Sequence, residues 1–124
     1  GKMRVFVYGS LMRNEYAEWR MRGCDFVADA ETTDGFSLVD LGDYPGLIRS
    51  GSSRVVGEIW EVPPEVLHRL DAYEGHPDLY LRQEIALADG SRVHAWIYLE
   101  DDGPGRPVPS GNWRLHRADR QETI

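Results

Sequence analysis

Cysteine is almost missing from these 124 residues: Cys24 stands alone. No internal disulfide can form, which makes a reducing cytoplasm the natural compartment. Long apolar runs are missing as well. None approaches the roughly 18 residues of a membrane helix, and no signal peptide opens the chain, because Met3-Arg4-Val5 enters a strand-like run at once. Gly1-Lys2 ahead of Met3 read as an expression remnant. Positive charge is scarce: fourteen Lys and Arg face twenty-one Asp and Glu, for a net charge of −7. That balance argues against nucleic acid and against anionic membrane as partners, since both select a basic face. It leaves open an anionic small molecule, which backbone dipoles can bind even on an acidic protein. Repeats and low-complexity tracts are absent. His68 and His76 lack a metal-ligand spacing and His94 and His116 are isolated, so a zinc site would have to draw on scattered ligands.

What is present suffices for one domain over residues 3–124, in a chain long enough to bury a core without staples. The residues are 41% hydrophobic, with four Trp, six Tyr and three Phe. Arg4-Val5-Phe6-Val7-Tyr8 is rich in β-formers and stopped by Gly9-Ser10, the pattern of a buried strand. Residues 14–22 carry Tyr16, Trp19 and Met21 among charges, which predicts a short helix closed by Gly23. Residues 25–50 are brief alternating segments broken by Asp34-Gly35, Leu41-Gly42 and Pro45-Gly46, read as strands and turns. Residues 55–61 predict a strand. Pro63-Pro64 then opens a helix whose Val66, Leu70 and Tyr73 share one face and which Gly75 ends. Residues 80–87 and 92–99 predict a hairpin joined through Ala88-Asp89-Gly90-Ser91. Residues 101–109 read as loop, and the last dozen as a frayed polar helix. The class is α+β, a small barrel-like mixed sheet with flanking helices.

Two places could carry chemistry. In Tyr8-Gly9-Ser10-Leu11, Gly9 allows close backbone approach and unusual dihedrals, and successive amides in such a turn form an anion-binding nest. An ordinary strand-ending turn explains the same four residues. Glu74 falls at the expected C-terminal end of a helix, where the macrodipole disfavours a carboxylate. Either it is exposed and the cost is small, or a raised pKa serves a base that must return its proton. Cys24 as a nucleophile lacks a visible His partner, and Ser10 lacks a His-Asp arrangement. Trp60, Trp96 and Tyr98 sit at strand spacing and read as core.

Taken in order, Val7-Tyr8-Gly9-Ser10-Leu11, Val56-Gly57-Glu58-Ile59-Trp60, Leu70-Asp71-Ala72-Tyr73-Glu74-Gly75, Tyr80-Leu81-Arg82 and Ala95-Trp96-Ile97-Tyr98 resemble the gamma-glutamylcyclotransferase superfamily. Pro45-Gly46-Leu47 and Ser110-Gly111-Asn112-Trp113 are similar to its short-chain branch, which includes gamma-glutamylamine cyclotransferases. The resemblance implies a compact barrel with a cavity at one end. It implies that Tyr8, Gly9, Ser10 and Leu11 hold the α-carboxylate end of a glutamyl group, that Glu74 is the general acid–base, and that Tyr80, Arg82 and Tyr98 join the substrate site. The reaction implied releases 5-oxoproline and a free amine from a γ-glutamyl amine and requires no cofactor. A monomer or a homodimer fits equally. After Leu11 the chain reads Met12-Arg13-Asn14-Glu15, without the tryptophan of the glutathione-degrading branch, which speaks against glutathione as substrate. A binding or regulatory module that kept the pocket is the alternative, because function does not follow from fold.

Overall fold

The computed structural model describes residues 1–100 and 103–122. In chain order these form β1 (Met3–Val7), a 3₁₀ turn (Glu18–Met21), β2 (Asp25–Glu31), β3 (Phe36–Asp40), β4 (Pro45–Ser53), β5 (Val56–Val62), α1 (Pro64–Glu74), β6 (Tyr80–Ala86), β7 (Arg92–Tyr98), β8 (Arg106–Pro107) and α2 (Trp113–Glu122). The eight strands make a single mixed sheet in the order β2-β5-β1-β7-β4-β3-β8, with β6 added to β7. The sheet curls until Thr32, just past β2, bridges Leu87, just past β6, so five strands close into a barrel-like ring. The mixed α+β architecture anticipated from the pattern is the one found.

The predicted hairpin is formed in full register, Tyr80 opposite Tyr98 through Ala86 opposite Arg92. Strand β5 is paired along both edges, by β1 and β2, and both of its faces are covered as well: Gly57, Glu58, Ile59, Trp60 and Val62 are all buried. Its alternation therefore marks two interiors rather than an inside and an outside. Helix α1 starts on Pro64 and turns its Val66 and Leu70 into the core. Of the last dozen residues Trp113–Glu122 form a helix and 123–124 lie outside the described residues; the helix is opened by Asn112, whose side chain accepts the Leu115 amide at 3.1 Å, and seated by Trp113, which is 1% exposed. Arg114, His116, Arg117 and Arg120 tie it to Glu15, Glu58 and Asp40.

Two expectations are corrected. Residues 14–22 make only a 3₁₀ turn. Asn14 sits at φ 67°, off the right-handed helical path, and the Ala17 amide is drawn back to the Ser10 carbonyl at 3.1 Å. Arg106–Pro107, read as loop, pairs with β3 at Val39 and Asp40. Asp101-Asp102 of that stretch lie outside the described residues.

Strand β7 controls where a hollow can form. One of its edges is taken along its length by β6. Its other edge pairs in parallel first with β1, at Val5 and His94, and then with β4, at Leu47 and Ile97. Two parallel strands cannot share one edge, so the chain leaving β1 turns aside at residues 8–11 as β4 takes its place. A crevice opens where such neighbours part, the same logic that places ligands at switch points of open parallel sheets.

Candidate active site

The crevice is a cavity of about 310 Å³, at the small end of the range for small-molecule sites. Its lining joins the turn after β1 (Tyr8, Gly9, Ser10, Leu11), the start of β4 (Tyr44, Pro45), the end of α1 (Tyr73, Glu74) and the entry to β6 (Leu79, Tyr80).

The turn is held by its carbonyls. Gly9 accepts from the Met12 amide and Ser10 from the Ala17 amide, both at 3.1 Å. In a trans peptide the carbonyl and the following N–H point in opposite directions, so the Ser10 and Leu11 amides face away from those internal bonds. Among the described residues the Gly9, Ser10 and Leu11 amides donate to no protein acceptor. Gly9 is needed for space and not for an unusual dihedral, contrary to one sequence expectation: its φ is not positive. A Cβ there would lie 2.6 Å from Pro45 Cγ, so the turn packs directly on the first residue of β4.

Tyr8 projects its phenol between two strands. Its hydroxyl donates to the Trp96 carbonyl at 2.8 Å and accepts the Leu47 amide at 3.1 Å. Tyr80 donates to the Pro45 carbonyl at 2.8 Å. Burial first, with nearby charge including Glu74 behind it, pushes both phenols up, so they stay neutral donors. The Ser10 hydroxyl lies 3.3 Å from that of Tyr73.

Glu74 is the last residue of α1. Gly75, at φ 68°, lies in the left-handed region and ends the helix: its amide and that of His76 close on the Ala72 and Asp71 carbonyls. The chain then reverses and presents Leu79 and Tyr80 to the cavity that Glu74 lines. Burial pushes the Glu74 carboxyl up to about 7; Arg20 opposes this and Asp71 adds to it. Other carboxylates in the interior behave differently. In Asp40, Glu58 and Asp71 burial is outweighed by hydrogen bonds, from His116 and the Gly42 amide, from the Arg13 amide, Trp60 and two guanidiniums, and from Arg82 and Trp96 respectively, so each titrates below its ordinary value. Among the described residues Glu74 alone of these four has no hydrogen-bond partner. A desolvated carboxylate poised near neutrality can take a proton and give it back.

Arg82 and Tyr98 are not among the residues that line the cavity. The Arg82 guanidinium is bound to Asp71 at 2.9 and 3.2 Å and to His94 Nδ1 at 2.8 Å. With the Trp96 indole, 2.9 Å from Asp71, it fastens the last turns of α1 to β6 and β7. Tyr98 donates to the Gly103 carbonyl at 2.8 Å and packs on Gly46. Sequence reasoning missed Tyr16, Tyr44 and Tyr73 as wall residues, and read Trp96 as core where it is both buried and part of the wall. Tyr16 and Tyr44 are 61% and 37% exposed and form the mouth. Nothing in local periodicity separates them from ordinary surface tyrosines. Cys24 is half-buried and its thiol is pushed up to about 11 by burial, which leaves almost no thiolate at neutral pH. Among the described residues no helix is long and apolar enough to cross a membrane.

The chain is similar to known proteins over most of its length. The family profile described as gamma-glutamyl cyclotransferase, AIG2-like, matches residues 5–115. The chain is 34% identical over 114 residues to the gamma-glutamylcyclotransferase family protein YtfP of Escherichia coli K12, across 90% of this chain and 96% of that one. A solution structure of protein ytfP from Escherichia coli has a TM-score of 0.71 at 32% identity and covers 94% of this chain and 99% of its own. The crystal structure of c4763, a uropathogenic E. coli-specific protein, has a TM-score of 0.83 at 28% identity, over 95% and 97% of the two chains.

Proposed function

The chain belongs to the gamma-glutamyl cyclotransferase, AIG2-like family, and from that premise we propose that it releases 5-oxoproline and a free amine from a γ-glutamyl amine, with Glu74 as the acid–base. The observation that carries the reading is the Glu74 carboxylate, pushed up to about 7 by burial and without a hydrogen-bond partner among the described residues, in one cavity with the Gly9, Ser10 and Leu11 amides, which donate to no acceptor among those residues.

A γ-glutamyl amide carries its own nucleophile, so the protein's work is to fold the substrate, move protons and stabilise charge. The α-carboxylate rests on the amides after β1, which act as fixed partial positive charges. Tyr8 and Tyr80, held by strand carbonyls, shape the wall against which the carbon chain bends. Glu74 removes a proton from the α-ammonium. The freed amine attacks the side-chain carbonyl carbon, the new C–N bond forms, and the carbonyl oxygen takes up negative charge. Collapse of the tetrahedral species breaks the bond to the departing nitrogen, to which Glu74 delivers its proton, and the ring nitrogen gives up its second proton to the departing amine. The lactam keeps one hydrogen on nitrogen and the amine leaves as an ammonium, so protons balance. Holding nucleophile and carbonyl in a near-attack geometry supplies several kcal/mol of barrier lowering, and the acid–base group about 10²–10⁴-fold. A cytoplasmic γ-glutamyl pool is the setting that the single free thiol suits.

The test is incubation with a panel of γ-glutamyl amines, 5-oxoproline being followed by mass spectrometry, for wild type and Glu74→Gln. Product from wild type and loss of it in the variant is the expected result. Equal turnover by both proteins assigns the base elsewhere. Ligand-induced thermal stabilisation without product across the panel supports a binding module instead.

A further inference from the structure

Glu58 is 0% exposed, and the reaction above gives it no step. It stands on β5 directly opposite Val7, the last residue before the chain turns aside. One oxygen accepts from the Arg13 amide at 2.9 Å and from the Trp60 indole at 3.1 Å. The other accepts from Arg13 Nε at 3.0 Å and from the Arg114 guanidinium at 3.2 Å. Arg114, reaching over from α2, donates as well to the Arg13 carbonyl. Both peptide groups that flank the Arg13 α-carbon are therefore held, the N–H by Glu58 and the C=O by Arg114.

The turn's own bonds, Met12 to Gly9 and Ala17 to Ser10, set its shape but not its attachment to the sheet. Tyr8, bound to Trp96 and Leu47, holds the turn's near end to the sheet; its far end is attached at residue 13, two residues beyond Leu11. Arg13 is itself braced, by Asp29 at 2.9 Å and by lying 3.7 Å over the Phe26 ring, both on β2. A buried carboxylate with four donors is a rigid joint, because each bond restricts the others and none is exchanged easily for water.

The geometry points to Glu58 as a positioning residue for the glutamyl site: it fixes residue 13 to the sheet and thereby aims the Ser10 and Leu11 amides into the cavity, with Arg114 of the C-terminal helix locking the same joint. The inference rests on the proposed reading of that turn as a carboxylate cradle. A purely structural Glu58 would change stability and leave the affinity of the folded protein alone.

The experiment titrates ¹⁵N-labelled protein with 5-oxoproline, follows the Gly9, Ser10 and Leu11 amide resonances, and measures KM and kcat for a γ-glutamyl amine. In wild type these amides shift saturably. In Glu58→Gln, which keeps an acceptor but loses the charge, affinity weakens and KM rises on the order of ten-fold, while the pH midpoint set by Glu74 stays in place. Arg114→Ala, at an exposed side chain, shows the same change at smaller size and remains decisive if the Gln variant does not fold. Wild-type affinity in a folded Glu58→Gln or in Arg114→Ala overturns the positioning role. Amides that fail to respond even in wild type overturn the cradle itself, and the positioning role with it.

Discussion

Replacing Glu74 by Gln should do two opposite things, and their pH dependence identifies the cause. In the folded chain burial raises this carboxyl from 4.5 to about 7, whereas unfolding returns it to water. Between those two values the folded protein holds a proton that the unfolded chain has released, so stability falls as pH rises through this window. Above it the folded state carries the whole cost of a desolvated charge. The displacement sets an upper bound of roughly 3 kcal/mol. Gln is nearly isosteric and cannot ionise, so the variant escapes that cost. Its melting temperature should exceed that of wild type at pH 8 by up to roughly 5–10 °C, and the difference should shrink to nothing near pH 4.5. Over the same series 5-oxoproline formation should fall by about 10²–10⁴-fold, and the wild-type rate should climb with pH through about 7 as the base form appears. Calorimetry at several pH values with a product assay on the same samples checks both halves. Equal melting temperatures at pH 8 would show that Glu74 is not desolvated, and the assignment of the base would lose its physical ground.

Three further outcomes follow from the same geometry. Tyr8→Phe strands the buried Leu47 amide and Trp96 carbonyl and should cost about 1–3 kcal/mol in urea unfolding, with KM raised because the start of β4 lines the cavity. Gly9→Ala places a carbon 2.6 Å from Pro45 Cγ; it should destabilise by about 1–3 kcal/mol through overpacking and weaken 5-oxoproline binding by calorimetric titration. Asp40, Glu58 and Asp71 all titrate below their ordinary values in the fold, so the stability they contribute is present above about pH 4–4.5 and is lost as pH falls through their folded values. Circular dichroism during acid titration should show unfolding in that lower range, and Asp71→Asn should move it to a higher pH by weakening the clamp on Arg82 and Trp96.

Much of the fold is readable because local patterns meet no competition. The 80–99 hairpin has a tight turn and alternating residues, and α1 has Pro at its start and Gly just past its end, so local and tertiary preferences agree. The reading failed where side chains from distant elements overrule local preference. Residues 14–22 carry Tyr16, Trp19 and Met21 among charges, yet Arg13 just before them is held by the Glu58 side chain of β5, and the Ala17 amide is taken by the Ser10 main-chain carbonyl. Glu58 lies in a strand whose alternation cannot say that both faces are interior. Arg82 is a reasonable substrate ligand in isolation, and only the meeting of Asp71, His94 and Trp96 around it shows that it is already engaged.

Order along the chain determined which pieces exist: a β-rich run ending in Gly-Ser, a capped helix ending in a carboxylate, a hairpin, and the sum that marks the family. Those properties depend on neighbours a few residues apart. Tertiary structure alone decided that Glu74 has no hydrogen-bonding partner among the described residues while Asp71, one turn earlier on the same helix, has three such bonds, and that β1 and β4 part along one edge of β7 to leave a cavity between them. Such facts depend on contacts across tens of residues, where burial and charge are set by whichever groups the sheet happens to bring together.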